Sequence, residues 1–360
     1  MDYIVAHSGR PIWEVFEEML NEPRIEAAWS SRLSGASRRE WTVVAGKADD
    51  AIARMVADAL ENLDGFQRAL EGLLHAIPYG HSIAEVIWEE QDGRLIPRAI
   101  KEKRHEWFRF DVDGRLYFRR PGGTWEAAPP YKFIVHSHRV RFGDPRGKPV
   151  LVRCYWPWYV KRHASQFWAM FVEKFGDPSL IAKGVPPALK DEVLQLLLNL
   201  RQGGAATLPP GVEVDTLTVK TVGAGSHADL FSTLLEFCDK EMTLAFLGQT
   251  LTTEVKEGSY AAARVHLAVR RDIIESDIAA LEDTLNSTLI PWIVDLNVGP
   301  QKAYPYIRFQ RDEEIDLQAV KTAWEMGYPI PLDEVQRISR IRRAAPGEET
   351  LPPPPQLGLA

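Results

Sequence analysis

The 360-residue sequence predicts an α+β chain, and three observations carry that prediction. Apolar residues recur at helical spacing through residues 11–78 and again from 159 onward. Between these regions, from Ser82, the apolar period shortens to that of strands. A compact stretch of alternating strand and helix signals, 176–226, then interrupts the second helical region.

In chain order, Ile12, Val15, Phe16 and Met19 form one helical stripe, and Ile52, Met55, Val56 and Leu60 form another, with a short extended piece at 40–44 between them. Strand signals follow at 83–88, 108–112 and 116–118, punctuated by turns at Gln91-Asp92-Gly93 and Asp113-Gly114, which reads as an antiparallel sheet. Trp125 and residues 133–135 add to it, and the Pro/Gly-rich run 142–149 leaves it. Residues 159–175 read as a helix, apolar on nearly every side in its second half, with Gly176 and Pro178 as its stop. Such a helix must be covered all round. The insertion then holds strands at 180–182, 205–208 and 212–219 and a helix at 188–200.

A helix returns at 229–247, with Ser226 and Asp229 as a capping box and Phe231, Leu234, Leu235, Cys238, Met242 and Ala245 as its stripe. Ile274, Ile278, Leu281, Leu285 and Leu289 mark another helix, expected to end at Pro291. The loop between these two helices is polar and hydroxylated, with Gly248 and Gly258 near its ends, and reads as a hinge or lining element rather than an active site. A strand at 306–309 and helices at 316–326 and 332–341 follow, and LPPPPQLGLA closes the sequence as an extended tail.

At 45% hydrophobic residues the chain is long enough and apolar enough for a substantial core. No apolar run is long enough to span a bilayer, and the first twenty residues lack the pattern of a cleaved signal, so neither membrane association nor secretion is expected. Two isolated cysteines, Cys154 and Cys238, exclude a disulfide framework and fit a reducing cytoplasm. A formal charge of −7 argues against a protein whose task is to grip nucleic acid.

No nucleotide-binding, serine-hydrolase, zinc-protease or calcium-loop motif is present, so neither enzymatic activity, cofactor nor metal is expected. His136 and His138 share a strand face but lack a third ligand and read as a solvent-facing or hydrogen-bonded pair. Glu85, Glu89 and Glu90 read as solvated or salt-bridged strand residues, and His163 and His266 as structural or interface positions on helices.

Three strings, YGHSIAEVIW at 79–88, EKFGDP at 173–178 and LGQTLT at 247–252, with Gly258-Ser259 after them, resemble the portal proteins of Mu-like tailed phages and prophages. The resemblance covers roughly residues 10–345. It implies the phage portal fold: a wing of helices and antiparallel sheet at 1–156, stem helices at 157–175 and 227–247, and a clip insertion at 176–226. A tunnel loop at 248–258 would follow, then a long helix returning to the wing at 259–311, a short crown at 312–345 and the proline-rich tail at 346–360. It also implies a ring of twelve copies at one capsid vertex, which passes double-stranded DNA and docks the terminase large subunit, the head–tail connector, the scaffold and the major capsid protein. The protein would then be found in the virion, and in the host cytoplasm during assembly. Gln249, Thr250, Thr252, Thr253, Glu254 and Lys256 are the candidate DNA-facing residues, and Phe167, Trp168, Phe171, Phe231 and Leu235 the candidate subunit contacts. The competing readings are a head or tail adaptor, and a DNA-processing enzyme of the packaging pathway, which the missing metal and ATP motifs disfavour.

Overall fold

The computed structural model describes residues 2–176, 180–201, 207–216, 227–249 and 260–311, with single positions between 321 and 331. It divides into a large unit, Met1–Gln310, and a C-terminal unit, Arg311–Ala360. The large unit is described below.

Helices α1 (Asp2–Ser8), α2 (Ile12–Leu20) and α3 (Pro23–Ser37) open the chain. The start of α3 is defined twice over. Pro23 occupies the first turn, where its missing N–H is no loss, and the Glu22 carboxylate accepts from the N–H groups of Arg24 and Ile25 at 2.9 Å. Strand β1 (Trp41–Val44) leads to α4 (Asp50–Glu61), capped by Asp49, then to α5 (Phe66–Leu74) and the single turn α6 (Ala76–Tyr79). The stripe residues Val15, Phe16, Met19, Val56 and Leu60 are buried, as their spacing predicts.

The strand region forms two three-stranded antiparallel sheets rather than the single sheet expected. The first has the order β3–β2–β7, built from β2 (His81–Gln91), β3 (Arg94–Lys103) and β7 (Phe133–Ser137). The second comprises β4 (Phe108–Phe110), β5 (Leu116–Arg119) and β6 (Trp125–Ala127). Strand β3 carries no clear strand signal because Pro97 interrupts it. The structure tolerates that proline because β3 is an edge strand and the register with β2 shifts between Ile87 and Trp88, where Trp88 faces Pro97. Asp92 and Gly93, both at positive φ, close the β2–β3 hairpin.

Helix α7 (Leu151–Gly176) begins eight residues earlier than its periodicity indicates and contains Pro157, which masked its first turns. It runs antiparallel to α9 (His227–Leu247), since Lys161 meets Asp239 while Phe171 meets Phe231. Between them β8 (Leu180–Lys183) and β9 (Glu213–Thr216) pair antiparallel, with α8 (Lys190–Arg201) in the connection. Residues 207–208 are not in a strand, and 205–206, the remainder of the strand expected there, lie outside the described residues, as do Ser226 and most of the helices expected at 316–341.

Helix α10 (Tyr260–Ser287) ends before Pro291, contrary to expectation. The helix is interrupted at Thr288 and a new one begins as α11 (Leu289–Val298), with Pro291 in its first turn, where a missing N–H is tolerated. Strand β10 (Tyr306–Phe309) returns to pair with β1, Trp41 facing Phe309. One core results: Phe16, Met19 and Ile25 pack with Leu70, Leu73 and Leu74 of α5, with Ile278, Leu281 and Leu285 of α10, and with Ile293 and Val294 of α11. Among the described residues no helix is long and apolar enough to cross a membrane.

Candidate functional site

Among the described residues no group of three or more His, Cys, Asp or Glu side chains could hold a metal ion. Most of the histidines and acids weighed on the sequence have structural partners, while the side chain of His266 lies outside the described residues. His136 is buried, its Nδ1 2.8 Å from the Thr284 hydroxyl, and burial holds its pKa down to about 4. His138 is also buried, with Nδ1 4.0 Å from Asp277 and its pKa lowered to about 3, chiefly by burial and then by Arg32. Glu85 pairs with Lys103 and Lys132, each at 2.6 Å. His163 packs its ring on Tyr159. Cys154 and Cys238 are free and buried.

What stands out is the α7–α9 pair. Near the helical core it is pinned by charge and packing: Lys161 bridges Glu22 and Asp239, each at 2.6 Å, while Cys238, Met242 and Phe246 are buried. Farther out, the apolar residues are uncovered. Phe167 is 59% exposed and Phe237 57%, with Met170 and Leu234 also exposed. An apolar groove of about 650 Å³ runs between the helices, walled by Phe167, Met170, Phe171, Phe231 and Leu234. The structure therefore brings three of the candidate contact residues, Phe167, Phe171 and Phe231, to one surface. Trp168 and Leu235 are half-buried and do not line the groove. Met170, which the sequence reasoning did not single out, joins this groove, and Phe237 of α9 is exposed without lining it. Their signal was the all-round apolar character of α7 and the breadth of the stripe on α9.

At the other end of α9, Gly248 sits at φ +67 and terminates the helix, its N–H bonded to Leu244 O. Gln249, expected among the loop's contact residues, is buried at 3% exposure, and neither end of its amide has a hydrogen-bond partner among the described residues. Thr250, Thr252, Thr253, Glu254 and Lys256 lie outside the described residues. The base of the loop is anchored by Arg32, 2% exposed, which donates to Phe246 O at 2.8 Å and to both oxygens of Asp277. Burial pushes the Asp277 carboxyl up against the pull of Arg32.

The sequence pattern of the family described as the portal protein of Mu bacteriophage matches residues 13–341. The chain belongs to this portal family. Its relatives in the family include the portal protein of Escherichia phage Mu, 24% identical over 330 residues, a match covering 87% of this chain and 63% of that protein. The chain thus spans less than two thirds of the length of that relative. The portal fold is also shared with chains of gene transfer agent particles. One, from the neck of an empty particle, superposes with a TM-score of 0.61 at 15% identity, covering 95% of this chain and 99% of the other. Another, from the virion of a native particle, gives 0.59 at 13% identity, with 93% and 97% covered.

Proposed function

We propose that this chain assembles into a closed ring at one vertex of a phage capsid and forms the channel through which double-stranded DNA is packaged and later ejected. The observation that carries the reading is the uncovered apolar groove on the α7–α9 pair, in a chain of the portal family. A soluble monomer gains nothing by leaving Phe167, Met170 and Phe237 in water. A neighbouring copy offering a different face of its own helix pair would cover them, and a head-to-tail contact of this kind closes into a ring when its rotation permits.

In this reading 1–156 and 259–311 form the wing, α7 and α9 the stem, 176–226 the clip, 248–258 the tunnel loop and 312–345 the crown. The clip is mounted where α7 and α9 end together, so it projects to one end of the ring, the end suited to meeting the terminase large subunit and afterwards the head–tail connector. Scaffold and major capsid protein would contact the wing. A net charge of −7 suits a conduit, because phosphate contacts strong enough to hold DNA would resist its sliding. The role is structural rather than enzymatic, exercised in the virion after assembly in the host cytoplasm.

Light scattering after size exclusion, together with negative-stain images, tests the reading. A mass near twelve subunits and a ring with a central hole support it. A stable monomer at micromolar concentration across several salt conditions overturns it.

A further inference from the structure

Where β7 ends and α7 begins, the backbone folds back on itself and gathers cations. The His138 N–H donates to Gly80 O at 2.8 Å, and the Lys148 N–H donates to His138 O at 2.7 Å. This crossing is so close that a Cβ on Gly147 would lie 2.1 Å from Gly80 O, so only glycine fits there. The crossing sets Arg139 beside Lys148. The Val150 N–H then donates to Ile77 O, fixing the first turn of α7, on which Arg153 stands.

The result is a cavity of about 340 Å³ lined by His138, Arg139, Lys148, Arg153 and the α7 N-terminus. None of these three cationic side chains has a carboxylate partner among the described residues, although the chain as a whole is acidic. The nearby acids are committed: Asp277 to Arg32 and Asp144 to Arg146. Burial, and then the like charges of Arg153 and Arg32, push Arg139 below the ordinary guanidinium value. Arg139 is also held at φ 50, a conformation a non-glycine residue keeps only when its surroundings impose it. The imidazole of His138, in the wall of the cavity, is buried, and its Nε2 has no hydrogen-bond partner among the described residues. The N–H groups of Leu151 and Val152 have no acceptor within their own helix, so the positive end of a 26-residue helix adds to the field.

We propose that this cavity is a binding site for a phosphate group, held by Arg139, Lys148 and Arg153 at the N-terminus of α7. Three cations and a helix N-terminus match a doubly charged tetrahedral anion better than a single carboxylate. The phosphate could be free in solution or part of a DNA backbone. The site lies where β7 leads into α7, and the inference does not require the channel reading.

The test is calorimetric titration of the intact assembly with inorganic phosphate at fixed ionic strength. The wild-type protein should bind it saturably. The double variant Arg139→Ala/Arg153→Ala, changed only at exposed side chains, should bind at least about tenfold more weakly with an unchanged thermal midpoint, as expected for lost charge-assisted hydrogen bonds. Arg68→Ala, an exposed arginine on α5, should bind like wild type. A short duplex DNA distinguishes the sources: displacement of bound phosphate identifies a backbone site, and its absence a free-anion site. The proposal is overturned if wild type shows no saturable binding, if the double variant binds equally well, or if that variant loses ring mass while neither protein binds phosphate, which would make the cluster a subunit contact.

Discussion

Arg32 and Asp277 stand 245 residues apart in sequence and meet in a buried, two-pronged ion pair, with Nε–Oδ2 at 2.6 Å and Nη2–Oδ1 at 2.7 Å. Because Arg32 also donates to Phe246 O, the pair ties α3, α9 and α10 together at the root of the loop after Gly248. Removing one partner strands the other charge in the core, so Arg32→Met alone or Asp277→Leu alone should cost about 3–5 kcal/mol in urea unfolding. The double variant Arg32→Met/Asp277→Leu should recover most of that loss. Equal losses in the single and double variants would show that the side chains' volumes, not their charges, matter.

Acid should loosen the large unit in a defined window. Burial, first among the causes in each case, holds His81 and His136 near pKa 4 and His138 near 3, below the ordinary 6.5. The unfolded chain therefore takes up protons near pH 6.5 that the folded chain accepts only near pH 4, and stability falls as pH falls between them, by up to about 3 kcal/mol for each such histidine. His75 works in the opposite direction, since Glu102 raises it despite burial. Thermal midpoints at pH 7, 5.5 and 4.5 should decline, and His136→Asn, which keeps a partner for Thr284 but cannot titrate, should flatten the decline. A midpoint constant over that range would contradict this account.

The exposed groove predicts how assembly fails. Phe167→Glu with Met170→Lys places charge where a neighbour's apolar surface would press, so particle mass should fall to monomers or small oligomers while circular dichroism stays native. An intact ring carrying both substitutions would remove the groove from the interface.

Two glycines at positive φ should respond differently to alanine. At Gly9 a Cβ meets nothing within 4 Å, so only the backbone cost of about 1 kcal/mol applies. At Gly147 the obstacles are the Gly80 and His138 carbonyl oxygens, which cannot swing aside, so Gly147→Ala should destabilise several-fold more. Comparable denaturant midpoints for the two variants would count against the close crossing.

For the loop, a cysteine introduced at Thr252 gives the sharpest reading. In a ring it should crosslink between subunits and be shielded from bulky reagents once DNA fills the channel. A thiol that reacts equally with and without DNA, and forms no crosslinks, would place the loop elsewhere.

Much of this architecture is legible in the chain because burial imposes a period. Val15, Phe16 and Met19, and later Ile278, Leu281 and Leu285, fall on buried faces where spacing alone puts them. Proline misleads in three places, at Pro97 in an edge strand, Pro157 within α7 and Pro291 in a first turn, because its local effect depends on neighbours remote in sequence. The stripe on α9 divides in a way no periodicity reveals: Cys238 and Met242 are buried by this chain while Leu234 remains exposed, since an apolar face does not record whose surface covers it. Arg32 reads as an ordinary helix residue because Asp277, which gives it meaning, lies on another element.

The pairing of β1 with β10 brings Glu40 and Gln310 together across 270 residues. At translation rates of about 5–20 residues per second, on the order of ten to fifty seconds separate the emergence of the two strands from the ribosome. During that interval Trp41–Val44 has an unsatisfied edge, and α7, the β8–β9 module and α9 are all synthesised before the sheet can close. A growing chain therefore exposes the apolar groove of the α7–α9 pair while its first strand still awaits a partner. Completion of β10 is what ends this exposure of that edge, making the last few residues of the large unit its folding latch.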